Sequence, residues 1–212
     1  MKVLKFWGLI LMSVMCVGLS SCGGDDNGGP VQNPDDDTVT DPNAIMTFTD
    51  PLVAAICIQN FDRNNDSKLS YAEAAAVSDL GKVFSQQPIS SFAELRFFKG
   101  LGSISQNAFY GCSALSSVTI PRNVKSIGNW AFSNCHALTS ITIPDNVTTI
   151  GGRAFAYNKG LTSVTMGNGV TTIGADSFAS CPKLTSITVP DCVKNIGGSS
   201  FNYCTEIGRA HV

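Results

Sequence analysis

Twelve residues from Asp62 to Glu73 set out oxygen donors in a fixed rhythm. The side chains of Asp62, Asn64, Asp66, Ser70 and Glu73 fall at positions 1, 3, 5, 9 and 12 of the loop, with the Lys68 carbonyl at position 7. A hard divalent cation takes about six to eight oxygens, and this set supplies them if Ser70 acts through a water and Glu73 gives both of its oxygens. Held there, such a cation would have a structural role. Without an ion the same residues make a capped polar turn between two helices.

The cysteines carry the next chemistry. Four of the eight, Cys112, Cys135, Cys181 and Cys204, recur at multiples of 23 residues, with Asn158 filling the gap between the pairs. A buried ladder of small side chains is one reading. A bridge such as Cys112 to Cys135 or Cys181 to Cys204 is the other, because adjacent parallel strands lie ~5 Å apart. Cys192 and Cys57 have no partner that spacing identifies. Catalysis finds no comparable support: His136 shares its slot with Ser113, Lys159, Pro182 and Thr205, which marks an exposed spacer, and the many hydroxyls lack a fixed base. No enzyme is expected. A carbohydrate-active enzyme would have to be demonstrated by turnover.

What positions these residues is a repeat. Leu115, Leu138, Leu161 and Leu184 open 23-residue blocks reading Leu-x-Ser-Val/Ile-Thr-Ile-Pro-x-x-Val-x-x-Ile-Gly-x-x-Ala-Phe-x-x-Cys, and Phe92 opens a looser first copy. A period of this size means a solenoid, in which each unit buries its apolar side only against the next. Ser117-Val118-Thr119-Ile120 alternates with a period of two, so Val and Ile face inward on a short strand and Ser and Thr face out. The Phe109, Phe132, Phe155, Phe178 and Phe201 column should fill the middle, and each Ala-Phe-x-x-Cys piece is short enough for one helical turn.

These phrases resemble the BspA-type leucine-rich repeat, found in many bacterial surface proteins, some of which are adhesins for host proteins. The resemblance implies an α+β leucine-rich repeat solenoid of about five repeats over residues 91–206. It also implies a binding role. The Asp62–Glu73 loop is similar to an EF-hand or dockerin-type calcium loop, departing from it at Ser67, where that family has Gly for a sharp turn. This likeness implies that the cation is calcium, held at an extracellular-grade affinity of ~10⁻⁴ M.

Ahead of the repeats lies a graded N-terminus. Lys2 and Lys5 precede an apolar run from Phe6 to Leu19, which reads as a signal peptide over residues 1–21. Leu19-Ser20-Ser21-Cys22 resembles a bacterial lipobox, which implies that Cys22 is diacylated and holds the protein on a membrane. Asp25 and Asp26 directly behind it are similar to the acidic patch that directs some Gram-negative lipoproteins to the outer face, which implies an outer-membrane location at the cell surface. Residues 22–45 are rich in Gly, Pro, Asn and Asp and read as a disordered acidic tether. Residues 46–90 read as a helix-loop-helix cap. Asp50-Pro51 opens its first helix, through Phe61, and Ala72 to Leu80 forms the second.

Charge and surface then limit the partner. The repeats carry a slight positive balance spread along the array, which argues against nucleic acid and against a polybasic membrane patch. The outward hydroxyls Ser117, Thr119, Ser140, Thr142, Ser163, Thr165, Ser186 and Thr188 form a polar track suited to a protein or glycan. Trp130, Tyr157 and Tyr203, in slots that vary between copies, are candidate anchors because Trp and Tyr are enriched at interfaces. The reading is therefore an adhesin-like surface lipoprotein, and the alternative is a periplasm-facing scaffold or spacer. Residues 207–212, Ile-Gly-Arg-Ala-His-Val, resemble the translation of a sequencing-adapter oligonucleotide, so they are expected to be non-native and the natural solenoid to be longer.

Overall fold

The structure is a computed structural model and describes residues 38–207. The segment read as a signal peptide, Cys22, the greater part of the segment read as a tether and residues 208–212 lie outside the described residues. Within them, each copy of the repeat contributes two short strands. β1 (Ser91–Phe92), β3 (Ser117–Val118), β5 (Ser140–Ile143), β7 (Ser163–Met166) and β9 (Ser186–Ile187) line one side. β2 (Ser103–Ile104), β4 (Ser126–Ile127), β6 (Thr149–Ile150), β8 (Thr172–Ile173) and β10 (Asn195–Ile196) line another.

Every pairing between these strands is parallel. The second set forms one five-stranded sheet in the order β2-β4-β6-β8-β10, with Ser103 opposite Ser126, Ser126 opposite Thr149 and Thr149 opposite Thr172, each 23 residues on. The first set divides into β1-β3 and β5-β7-β9. Alternation does what it should: Ile141 and Ile143 are buried while Ser140 and Thr142 are exposed.

The first turn departs from the period. Ser91 pairs with Ser117 and Phe92 with Val118, a spacing of 26. Phe92 therefore occupies the Val118 slot and not the leucine slot from which the spacing had it open the first copy. Three extra residues are absorbed by a 3-10 helix, Ala93–Phe97, and the buried Ile89 takes the leucine position.

The third side of the coil is not the helical turn expected of Ala-Phe-x-x-Cys. It is a turn held between two left-handed residues, and its backbone makes a ladder of its own. Trp130, Phe132 and Asn134 donate their N–H groups to the carbonyls of Gly152, Ala154 and Ala156 in the next copy. Arg153, Phe155 and Tyr157 do the same to Ala175, Ser177 and Ala179. A helix would have spent these donors within one copy. Here they join copies, which satisfies the buried backbone of every turn.

Inside the coil the phenylalanines stack. Phe84, Phe109, Phe132, Phe155, Phe178 and Phe201 follow one another at centroid distances of 5.0 to 5.6 Å, and from Phe132 onward the rings lie within 4° of parallel. Full burial of such a ring contributes roughly 1.5–3 kcal/mol, and each aromatic pair adds about 0.5–1.5 kcal/mol. Glycine sets how closely the copies approach. A Cβ on Gly174 would lie 2.5 Å from the Gly152 nitrogen, and one on Gly169 would lie 1.8 Å from the Asp145 carbonyl oxygen. No side chain fits at either place.

The N-terminal end is covered by α1 (Pro51–Phe61) and α2 (Tyr71–Ala75). Asp50 caps α1 by accepting from Leu52 and Val53, and its second oxygen accepts from the Ser90 N–H and hydroxyl, which ties the helix to the first copy. Phe61 meets Phe98 edge-on at 6.0 Å and Tyr71 meets Phe97 at 4.9 Å. The second helix is shorter than expected. It stops at Ala75, and Asp79 instead accepts from Gly81 N–H and the Ser105 hydroxyl, fixing a turn whose Gly81 has φ +55°. Residues 41–46, which composition placed in or beside the tether, belong to the fold: Tyr71, Ala72 and Met46 donate to the carbonyls of Ala44, Pro42 and Leu69. Among the described residues no helix is long and apolar enough to cross a membrane.

Candidate functional site

The oxygen-rich loop joins α1 to α2. Its residues 63–68 are exposed, while Leu69 is buried and anchors the exit. Asp62 accepts from the N–H groups of Asn65 and Ser67 at 2.8 and 2.9 Å, Asn64 from that of Asp66 and Asp66 from that of Lys68. Glu73 reaches back across the loop, one oxygen to the N–H groups of Arg63 and Asn64, the other to the Ser70 N–H and hydroxyl, while Ser70 accepts from Glu73 N–H. The pair is a capping box for α2. The Ser70 N–H bond, with the other donors, holds the Glu73 carboxyl below its ordinary value.

The donor set suits a hard cation. It is all oxygen, it has three carboxylates, and the Arg63 guanidinium is turned away to the Ala76 carbonyl. Ser67 adopts φ +64°, so it makes the turn that Gly makes in calcium loops, at the cost of a strained backbone. Among the described residues no three His, Cys, Asp or Glu stand close enough to hold a metal by themselves. A cation here would depend on the neutral oxygens of Asn64, Lys68 and Ser70 as well.

The hydroxyl track is present as a surface. Ser117, Thr119, Ser140, Thr142, Thr165, Ser186 and Thr188 are exposed and Ser163 is half-buried. The structure thus brings the predicted outward residues onto consecutive strands of one side.

A second surface lies over the left-handed turns, and the sequence reading reached only part of it. Asn107, Trp130, Arg153, Asp176 and Ser199 form one column with φ between 56° and 61°. Gly111, Asn134, Tyr157, Ser180 and Tyr203 form another, with φ between 59° and 72°. Trp130, expected to be exposed, is half-buried: the Arg153 guanidinium lies 4.8 Å above its ring, and Tyr157 stacks on it at 6.5 Å. Arg153 is in turn paired with Asp176 at 3.1 Å. Tyr157 and Tyr203 are exposed, and between them opens a cavity of about 430 Å³. Arg153, Asp176, Lys159 and Lys183 were not singled out from the sequence. Their signal was the slot that changes character in each copy while its neighbours stay fixed.

The cysteine column is a donor column. The thiols of Cys112, Cys135, Cys181 and Cys204 donate to the carbonyls of Phe84, Phe109, Phe155 and Phe178 one copy back, at 2.9 to 3.3 Å. Asn158 keeps the pattern with its amide, donating to the Phe132 carbonyl, and also accepts from Cys135 N–H. All six described cysteines are free thiols. Burial pushes the Cys112 thiol up to about 12 and raises Cys135 as well, so both stay protonated as donors. Cys192 works likewise in the slot of Asn123 and Asn146, donating to the Asn168 carbonyl. His136 donates from Nδ1 to the Tyr157 carbonyl at 3.0 Å, a structural contact.

Comparison with known proteins agrees with this geometry. The pattern of the family described as BspA type leucine rich repeat region matches residues 82–208 in six copies. Among solved structures, the chain is similar to the Treponema pallidum leucine rich repeat protein TpLRR, with 34% identity, a TM-score of 0.50 and half of each chain covered. A leucine-rich repeat protein from Bacteroides ovatus is 29% identical, with a TM-score of 0.40 over 56% of this chain and 40% of that one. A leucine rich cell surface protein from Faecalibacterium prausnitzii is 20% identical, with a TM-score of 0.43 over 57% and 50%. The chain thus spans about half the length of the first of these. No curated protein matches it.

Proposed function

As the chain belongs to the BspA-type leucine-rich repeat family, we propose that it is a cell-surface lipoprotein whose solenoid binds an extracellular protein or glycan. The observation that supports this most is the exposed hydroxyl track, Ser117 to Thr188, repeated on strands whose alternate residues form the core. A rigid row of identical polar groups at ~4.8 Å spacing suits a partner that is itself extended or repetitive. Cys22 supplies the anchor, with acyl chains contributing ~0.8 kcal/mol per buried methylene, and the acidic segment behind it the tether.

Calcium belongs to the same reading. Asp62, Asn64, Asp66, the Lys68 carbonyl, Ser70 and Glu73 would hold it, and it would supply charge neutralisation that fixes the cap over the first copy. Terminal repeats need such covers.

Three experiments test the proposal. Protease added to intact cells should remove the protein, whereas a periplasm-facing scaffold would be spared. The purified protein, screened with calcium against arrays of matrix proteins and glycans, should bind at least one of them saturably. Cys22→Ala should release the protein from membranes, and retention of that variant would refute the anchor.

A further inference from the structure

We propose that the groove between Tyr157 and Tyr203 is a carbohydrate subsite that takes one acidic sugar ring, carrying a carboxylate or a sulfate. The inference rests on the binding role proposed above and gives it a place and a ligand class. It locates recognition on the left-handed turns, away from the hydroxyl track.

The first observation is strain that packing does not require. Every copy needs a left-handed residue at this position, and Gly111 and Asn134 meet the need with the residue types suited to it. Tyr157 and Tyr203 meet it with φ 63° and 59°, in a conformation that bulky residues rarely adopt. The two residues are 41% and 70% exposed, so burial repays only part of the strain. Strained residues of this kind concentrate where a side chain is wanted for a partner.

The second observation is the shape of the gap. Tyr157 and Tyr203 stand two copies apart, with Ser180 in the same column between them, which separates the rungs by about 10 Å at ~4.8 Å per copy. Two van der Waals contacts at ~3.5–4.0 Å fill most of that distance and leave room for one puckered saturated ring between the two tyrosines. The C–H groups of a sugar carry a slight positive charge and suit the negative face of an aromatic ring. Trp130 stacks against Tyr157 and Arg153 covers Trp130, so the first wall is braced before any ligand arrives.

The third is charge. The groove is lined by Lys159 and Lys183 as well as by Ser180 and Pro182. Neither lysine forms an ion pair among the described residues, and the Asp176 carboxylate of the neighbouring column is engaged by Arg153. Two ammonium groups beside an apolar slot favour an anionic group on the ring that enters it, and the Ser180 hydroxyl offers a partner for a sugar hydroxyl.

The test uses the full purified chain and three defined hexasaccharides in titration calorimetry: hyaluronan for carboxylate, κ-carrageenan for sulfate, and cellohexaose for the neutral control. At least one acidic probe should bind, and cellohexaose should bind at least tenfold more weakly. Tyr157→Asn and Tyr203→Asn should each weaken the acidic probe tenfold or more while leaving the melting temperature unchanged or raised, because Asn suits the left-handed turn. The double variant Lys159→Gln with Lys183→Gln should abolish the preference for acid. Absence of binding by both acidic probes at millimolar concentration overturns the proposal, as does equal binding of cellohexaose or full binding by the tyrosine variants. If a partner found on the arrays is lost with Thr142→Lys and Thr165→Lys but kept by the tyrosine variants, the binding solenoid stands and this subsite falls.

Discussion

Asn158 is the one amide in a column of thiols, and replacing it separates the two jobs the column does. It is fully buried, donates to the Phe132 carbonyl at 3.0 Å and accepts from Cys135 N–H at 2.7 Å. Asn158→Ala removes both partners; Cys135 N–H can turn to the Phe132 carbonyl, but the lost side-chain donor and the emptied volume are not replaced, so the loss should be roughly 2–4 kcal/mol. Asn158→Cys restores the donor, since cysteines elsewhere in the column reach the equivalent carbonyl at 2.9 to 3.3 Å. It leaves only Cys135 N–H to find the Phe132 carbonyl, as Cys112 N–H finds that of Phe109 at 3.2 Å. That change should cost about 1 kcal/mol, the worth of one exchanged hydrogen bond. Urea unfolding of the purified protein, with reductant present to exclude bridges, measures both. If the alanine and cysteine variants lose the same stability, the thiols are fillers and the donor account is wrong.

The core and the outer track should differ as strongly. Phe155→Ala, which removes a fully buried ring stacked on two others at 5.3 Å, should cost about 3–5 kcal/mol, and Thr142→Ala well under ~1 kcal/mol; equal costs would reverse the inward and outward slots. The melting temperature should rise with millimolar calcium and fall with chelator, and Asp62→Ala with Glu73→Ala should remove that response; indifference of the parent to calcium would leave the loop as a capped turn. Burial alone would raise the Asp50 carboxyl, but the Ser90, Leu52 and Val53 donors hold it below its usual 3.8. Because the folded value is the lower one, Asp50 stabilises fully above the unfolded value, and that stability is lost as pH falls through the folded one. Asp50→Asn should therefore flatten the acid side of the stability profile below ~pH 4; an unchanged slope would mean that the tie to Ser90 is not electrostatic.

The strands were legible because their apolar residues alternate and repeat at 23 residues, and the observed registers, Ser140 with Ser163 and Thr149 with Thr172, are those of the slots. The first helix was legible from Asp50-Pro51. The first copy misled because the period was extended through Phe92, whereas the three inserted residues are hidden in a 3-10 helix that carries no repeat signal. The Phe turns misled for a different reason. Ala-Phe-x-x-Cys has helical spacing, but the left-handed residues on either side, Trp130, Arg153 and Tyr157 among them, are not ones that sequence rules mark for positive φ, apart from Asn107, Asn134, Asp176 and Gly111. The second helix ended early because Asp79 bonds outside it, a tertiary contact with Ser105 that no local pattern encodes. Of the candidate sites, the loop donors and hydroxyl track were readable from spacing. The Arg153–Trp130–Tyr157 stack was not, since it joins residues from different columns that meet only when copies are laid side by side.

The central claim is that the repeats, and not the cap or the tether, carry the binding function. Amide hydrogen exchange on the full chain, alone and with the partner taken from the arrays, tests it most directly, because the cap and the coil have separable peptides. The account predicts slowed exchange confined to residues 103–207 and no change in residues 41–80 at constant calcium. Protection confined to residues 41–80, with the repeats exchanging as before, would contradict it.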